Sequence, residues 1–160
     1  EVASTALNAD RGNKYTLLAL PSDNGVELLT VRDPFNKSLT NEDARVRVVN
    51  GAVNAQAFDV YLTAVGADIT ALSPSLADIG YKQVKPASGD DSVDVTPGAY
   101  QLRLTPTGSK TPFFSATVTA PENGDWLLVA LPDELAENAV RMLLVRADDS
   151  ADATDEIVSE

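Results

Sequence analysis

The chain of 160 residues has no cysteine and no histidine, and it carries a single Trp and a single Met. Without Cys there is neither a disulfide frame nor a thiolate, which is compatible with the cytosol or with a secreted bacterial β-protein held by its core alone. Without His, the usual general base, the Ser-His and Cys-His nucleophile pairs and the commonest zinc ligand are missing. Basic residues are scarce as well: 12 Lys plus Arg stand against 24 Asp plus Glu, a net charge of −12. That charge repels nucleic-acid phosphates and anionic membrane surfaces, so neither is expected as a partner. No run approaches the roughly 20 apolar residues that span a bilayer, so no membrane insertion is expected, and residues 1–20 lack the basic-then-apolar layout of a signal peptide. Helical patterning is scarce too. Only Asp133 to Val140 (DELAENAV) places an N-cap-like Asp before helix formers, which predicts at most one short helix or helical turn.

What the chain does contain is strand grammar. Apolar residues alternate in VRVVN (Val46 and Val48 against Arg45 and Arg47) and in FDVYL (Phe58, Val60 and Leu62 against Asp59 and Tyr61). The same period of two recurs in YQLRLT, with Tyr100, Leu102 and Leu104 on one face, and in FSATVTA, with Phe114, Ala116, Val118 and Ala120 inward. Turn chemistry separates these runs at Asn50-Gly51, Gly66-Ala67-Asp68, Thr96-Pro97-Gly98, Pro106 to Ser109 and Asn123-Gly124. Half-buried antiparallel strands at this spacing predict an all-β fold, an antiparallel Greek-key β-sandwich of the immunoglobulin or transthyretin kind. WLLVAL and RMLLVR are apolar throughout and are expected to be central strands covered on both faces.

A repeat organises the chain. YTLLALP at Tyr15 to Pro21 returns as WLLVALP at Trp126 to Pro132, and LLTVR at Leu28 to Arg32 returns as MLLVR at Met142 to Arg146. One unit is therefore complete and is preceded by only the last third of another. The expected division is residues 1–32 as the C-terminal part of a preceding repeat, 33–43 as linker, 44–148 as the complete repeat and 149–160 as an acidic, solvated tail. The partial copy would expose Leu17, Leu18, Leu20, Leu28, Leu29 and Val31, and a strand group that small needs a cover. An absent upstream segment, the complete repeat of the same chain or a second copy of the chain could supply it, and the reading leans towards association between chains.

The strings ARVRVVNG at Ala44 to Gly51, FDVYL at Phe58 to Leu62, DVTPGAYQLRLTPTGS at Asp94 to Ser109 and WLLVALP at Trp126 to Pro132 resemble the bacterial family known as domain of unknown function 4397. The resemblance covers the complete repeat and, through residues 4–32, the tail of a preceding one. It implies exported or cell-surface β-sandwich domains, often in tandem, with no activity attached to the family. The first copy departs from the pattern by lacking the Arg-Val and Asp-Val-Tyr strands.

Candidate chemistry is thin. A glycosidase needs two facing carboxyls about 5 to 9.5 Å apart; Asp90, Asp91 or Asp94 could be one and Asp59 or Asp78 the other, but nothing in the sequence brings them together. Oxygens alternate at Asp148, Ser150, Asp152, Thr154 and Glu156 like the opening of an EF-hand loop, yet Ala153 stands where Gly is needed and Ser159 where Glu is needed. GDDSVD at Gly89 to Asp94 is a loop that calcium could use, its acids otherwise solubilising a turn. Trp126 could stack on a sugar but reads as core or rim packing, since Tyr15 holds the equivalent place. Tyr100, following Pro97-Gly98, reads as a corner tyrosine bonded to nearby backbone. Tyr61 on the polar face hints at ligand contact, while Asp59 reads as capping a turn or pairing with Arg45 or Arg47. PTGSKT at Pro106 to Thr111 lacks the phosphate-loop frame and reads as a hairpin tip.

The sequence thus predicts no catalytic residue, no cofactor and no defined metal site. The expected role is a noncatalytic exported or cell-surface module for adhesion, spacing or assembly, located outside the cell, on its surface or in the periplasm. Its partner would be an adjacent repeat or a second copy, through strands of residues 1–32. A module binding polysaccharide or calcium is the first alternative and a carboxylate-based hydrolase the second.

Overall fold

A computed structural model describes residues 2–34, 42–133, 136–146 and 154–160. They form strands, turns and irregular segments, with no helix among the described residues. The opening hairpin pairs β1 (Asn13–Ser22) with β2 (Gly25–Pro34). Its turn needs a residue at positive φ, and Gly25 supplies it at +113°.

The rest of the chain builds two layers. The first contains β3 (Ala44–Asn50), β6 (Val84–Lys85), β7 (Val93–Val95), β10 (Asp125–Pro132), β11 (Val140–Arg146) and β12 (Thr154–Ile157), in the order β12-β11-β10-β3-β6 with β7 also on β3. The second contains β4 (Phe58–Thr63), β5 (Leu76–Ile79), β8 (Gly98–Pro106) and β9 (Phe114–Ala120), in the order β5-β4-β8-β9. Every pairing is antiparallel except β3 with β10, which run parallel.

Alternation places the core between the layers. Val46, Val48, Trp126, Leu128, Ala130, Met142 and Leu144 from the first layer meet Phe58, Val60, Leu102, Leu104, Phe114, Ala116 and Val118 from the second. Phe58 and Phe113 pack edge to face at 6.1 Å. As expected, β10 is covered on both sides: its odd-numbered residues Leu127 and Val129 form a second cluster with Val31 and Val49, and Leu18, Leu29, Leu131, Leu143 and Val145 pack around it. The inner face of the hairpin therefore lies on the back of the first layer. The complete repeat of the same chain covers that face, the second of the three covers considered.

The two copies keep one register. Tyr15↔Arg32, Leu17↔Thr30, Ala19↔Leu28 and Pro21↔Val26 map onto Trp126↔Arg146, Leu128↔Leu144, Ala130↔Met142 and Pro132↔Val140. Their surroundings differ. Leu128 is fully buried, whereas its equivalent Leu17 is 44% exposed, because among the described residues no second layer lies over the outer face of the hairpin.

Three local expectations change. Residues 136–139 form a turn with Asn138 at φ +58°, and the Asp133 amide donates to Ala139 O, so the described part of 133–140 is not helical. Within the stretch expected to be a solvated tail, β12 pairs with β11, because an edge strand needs only its backbone groups and its acids can point to solvent. Asp33 and Pro34, expected in the linker, complete β2; residues 35–41 lie outside the described residues.

Candidate functional site: the charged joint between hairpin and layers

Arg45 and Arg47 were expected on the face of their strand opposite Val46 and Val48. Both are buried, Arg47 completely, because the hairpin and the segment 86–92 close over that side of β3. Alternation correctly separates the two faces but assumes that a polar face is wet.

The hairpin places charges to match. Lys14 and Asp33 are opposite each other on β1 and β2, on the inward face with Thr16, Leu18 and Val31. Asp125, 3% exposed at the start of β10, accepts from Arg45 Nη2 at 2.8 Å and from Lys14 Nζ. Asp33 Oδ1 lies 3.3 Å from Arg47 Nη2 and accepts from Ser92 Oγ at 3.1 Å. Lys14 Nζ stands 3.8 Å from Asp33, and Arg45 Nη1 donates to Pro34 O at 3.1 Å. Arg47 further donates to the carbonyls of Pro86, Ala87 and Asp90. Ions withdrawn from water this far are tolerated only when paired and hydrogen-bonded, and removing one partner of such a pair costs about 3–5 kcal/mol.

Chemically, the joint is a clamp. The cavity beside Lys14, Asp33 and Asp125 is about 20 Å³, room for roughly one water. Further contacts tie the far end of the hairpin: Tyr81 Oη donates to Pro21 O at 2.6 Å, and Lys82 Nζ pairs with Glu27 at 2.5 Å. The hydrogen bond to Glu27 raises the Lys82 pKa above its ordinary value, and burial raises that of Tyr81. Along the outer edge of β2, Arg32 N donates to Ser88 Oγ and Arg32 O accepts from Gly89 N.

The residues nominated from sequence are dispersed. Asp59 is a buried turn cap, accepting from the amides of Asp78 and Gly108 at 2.8 and 2.9 Å, and it does not pair with Arg45 or Arg47. Asp59 and Asp78 belong to the second layer, whereas Asp94 lies in β7 beside β3 and Asp90 and Asp91 in the loop that leads to it, so the carboxyls considered for a hydrolytic pair come from different layers. In the Gly89 to Asp94 loop, Asp90 O and Ser92 Oγ turn towards the Arg47 guanidinium. Among the described residues no group of three carboxylates is placed to hold a metal ion. Of the EF-like positions, Thr154 and Glu156 are in β12; Asp148, Ser150 and Asp152 lie outside the described residues.

Tyr61, expected on an exposed face, is 1% exposed: Lys110 covers it, with Nζ 2.7 Å from the hydroxyl. Tyr100 is the corner tyrosine expected, donating to Thr96 O at 2.7 Å. PTGSKT is the β8–β9 turn, with Ser109 N on Pro106 O. Trp126 is buried in the core, as read, but its indole Nε1 has no hydrogen-bond partner, and the ring lines a groove of about 510 Å³ between the edges of β9 and β12. That groove also has walls from Thr117, Thr119, Arg146, Asp155 and Glu156.

Residues 1–61 match the family model described as Domain of unknown function (DUF4397). The match runs through the hairpin, β3 and the first residues of β4. It thus includes Lys14, Asp33, Arg45 and Arg47, four of the five charged residues of the joint. No curated protein matches the chain.

Proposed function

We propose that the chain is a noncatalytic β-sandwich module, of Greek-key topology, that serves adhesion, spacing or assembly in an exported or cell-surface protein built from tandem repeats. The observation that carries this reading is the shared register of β1–β2 and β10–β11, with a second layer, among the described residues, over only one of them. The chemistry of the charged joint supports it, since its ions direct hydrogen bonds to each other and to backbone carbonyls. The exposed face with Leu17 and Val26 is the surface offered to an adjacent repeat or a second copy. Protease treatment of intact source cells tests the location. Release of fragments of this chain while a cytoplasmic marker stays whole is expected, and a chain protected until lysis overturns the reading.

A second reading has one specific observation in its favour. The groove beside Trp126 has walls of threonine, arginine and carboxylate side chains, a donor and acceptor set suited to a polysaccharide. As the only Trp, it reports on the groove by fluorescence. Saturable emission changes with soluble polysaccharides support this reading; an unchanged spectrum across neutral and basic polysaccharides removes it.

A further inference from the structure

At the joint, equivalent residues of the two repeats meet each other. Lys14 occupies the position in its copy that Asp125 occupies in the other, and the two form an ion pair. Around them the same relation holds: Thr16 and its equivalent Leu127, and Val31 and its equivalent Val145, line the small cavity beside this pair. In the apolar cluster, Leu18 joins its equivalent Val129 and Leu29 joins its equivalent Leu143. When a surface meets its own counterpart, the contact is isologous, and the residue nearest the two-fold axis faces its own equivalent. Lys14 and Asp125, in direct contact, meet that condition.

We propose that the contact between β1–β2 and β10–β11 is a closed, two-fold-type interface between neighbouring repeat units, in which the opposite charges at Lys14 and Asp125 select unlike units as partners. The proposal rests on the tandem-repeat reading above and names the partner surface within it. A residue near such an axis must meet its own kind when two identical units pair. Two complete units would then bring Asp125 against Asp125 in a site that is 3% exposed, and two leading hairpins would bring Lys14 against Lys14. Both pairings place like charges together out of water. A cation in one copy and an anion in the other removes the conflict for the mixed pair alone. The interface also saturates itself, so repeats join in pairs through this face rather than in an open stack.

Reversing each charge separately tests this on the full chain. Lys14→Asp faces Asp125 with an acid, and Asp125→Lys faces Lys14 with a base, so neither variant can dock its own hairpin well. Mixed one to one, the two can exchange hairpins. One joint of the exchanged dimer is then native, with Lys14 on Asp125, and the other is charge-reversed. The expected result is a twofold rise in molar mass by light scattering on mixing, relative to either variant alone, with at least tenfold recovery of amide protection in β1 and β2. A mixture that keeps the masses of its components, or a single variant that retains wild-type hairpin protection, overturns the proposal. If either reversal fails to fold, Lys14→Gln, Asp125→Asn and the double variant form a cycle. Coupling of tenfold or more in the unfolding constant then supports the pairing code, and additivity removes it. Failure here leaves the surface-location result untouched, and failure there leaves this interface standing.

Discussion

Leu17 and Leu128 hold the same place in the two repeats, in the same register, and differ in what lies above them. Leu128 is fully buried among residues of both layers, so Leu128→Ala removes its transfer free energy and leaves a cavity, together costing about 2–5 kcal/mol. Leu17 keeps 44% of its surface in water and has an open side into which solvent follows the truncation. Burying a whole Leu side chain is worth about 1.5–3 kcal/mol. With little more than half of Leu17 covered and no cavity term, Leu17→Ala should cost at most about 0.8–1.7 kcal/mol. Equilibrium urea unfolding, followed by Trp126 emission, measures both. A gap of about 2 kcal/mol or more with unchanged denaturant slopes is expected. Equal losses would refute the argument, since they would mean that the outer face of the hairpin is as well covered as the core.

Asp125→Ala strands Arg45, itself 6% exposed, and should destabilise the chain by about 3–5 kcal/mol in the same assay. Asp59→Ala leaves the amides of Asp78 and Gly108 without their acceptor and should cost about 2–4 kcal/mol, with the loss read as a lower thermal midpoint. Alkali should loosen the hairpin. The Lys82 and Tyr81 pKa values are raised in the folded chain, so their contributions are complete below the unfolded values of 10.5 and 10.0 and fade as pH rises through the folded ones. Val31 and Leu127 methyl shifts should therefore move together above about pH 10. Acid should loosen the C-terminus: the Thr117 hydroxyl, then its amide, lowers the Glu160 pKa, so that contact is complete above 4.5 and is lost as pH falls through the lowered value.

Side-chain periodicity was a good guide wherever one face meets apolar partners. Phe114, Ala116, Val118 and Ala120 alternate in sequence and are buried in alternation. The unbroken apolar run WLLVAL likewise foretold a β10 covered on both sides, and the two copies of the repeat turn out to share one hairpin register. The burial of Arg45 and Arg47 was not legible because burial of a cation depends on acids far away in sequence, here Asp33 and Asp125, and on carbonyls that no pattern displays. The short strands β6 and β7 and the acidic β12 escaped for a related reason. Their pairing rests on backbone groups, which every residue has, so composition carries little trace of it. One signal was available: an Asp-Pro ending β2 and a Lys near the start of β1 flank the apolar hairpin on the face that carries Leu18 and Val31. Opposite charges there, matched by Asp125 in the second copy, mark the joint.

The leading hairpin docks by its inner face on the back of its own molecule's first layer. Methyl nuclear Overhauser effects between Leu18 or Val31 and Leu127 or Val129 test it most directly, measured on uniformly labelled chain and on a mixture of labelled and unlabelled chains filtered for contacts between molecules. Cross-peaks are expected in the first sample and none in the filtered spectrum of the second. Their absence from the first, or their appearance between molecules, would contradict this docking.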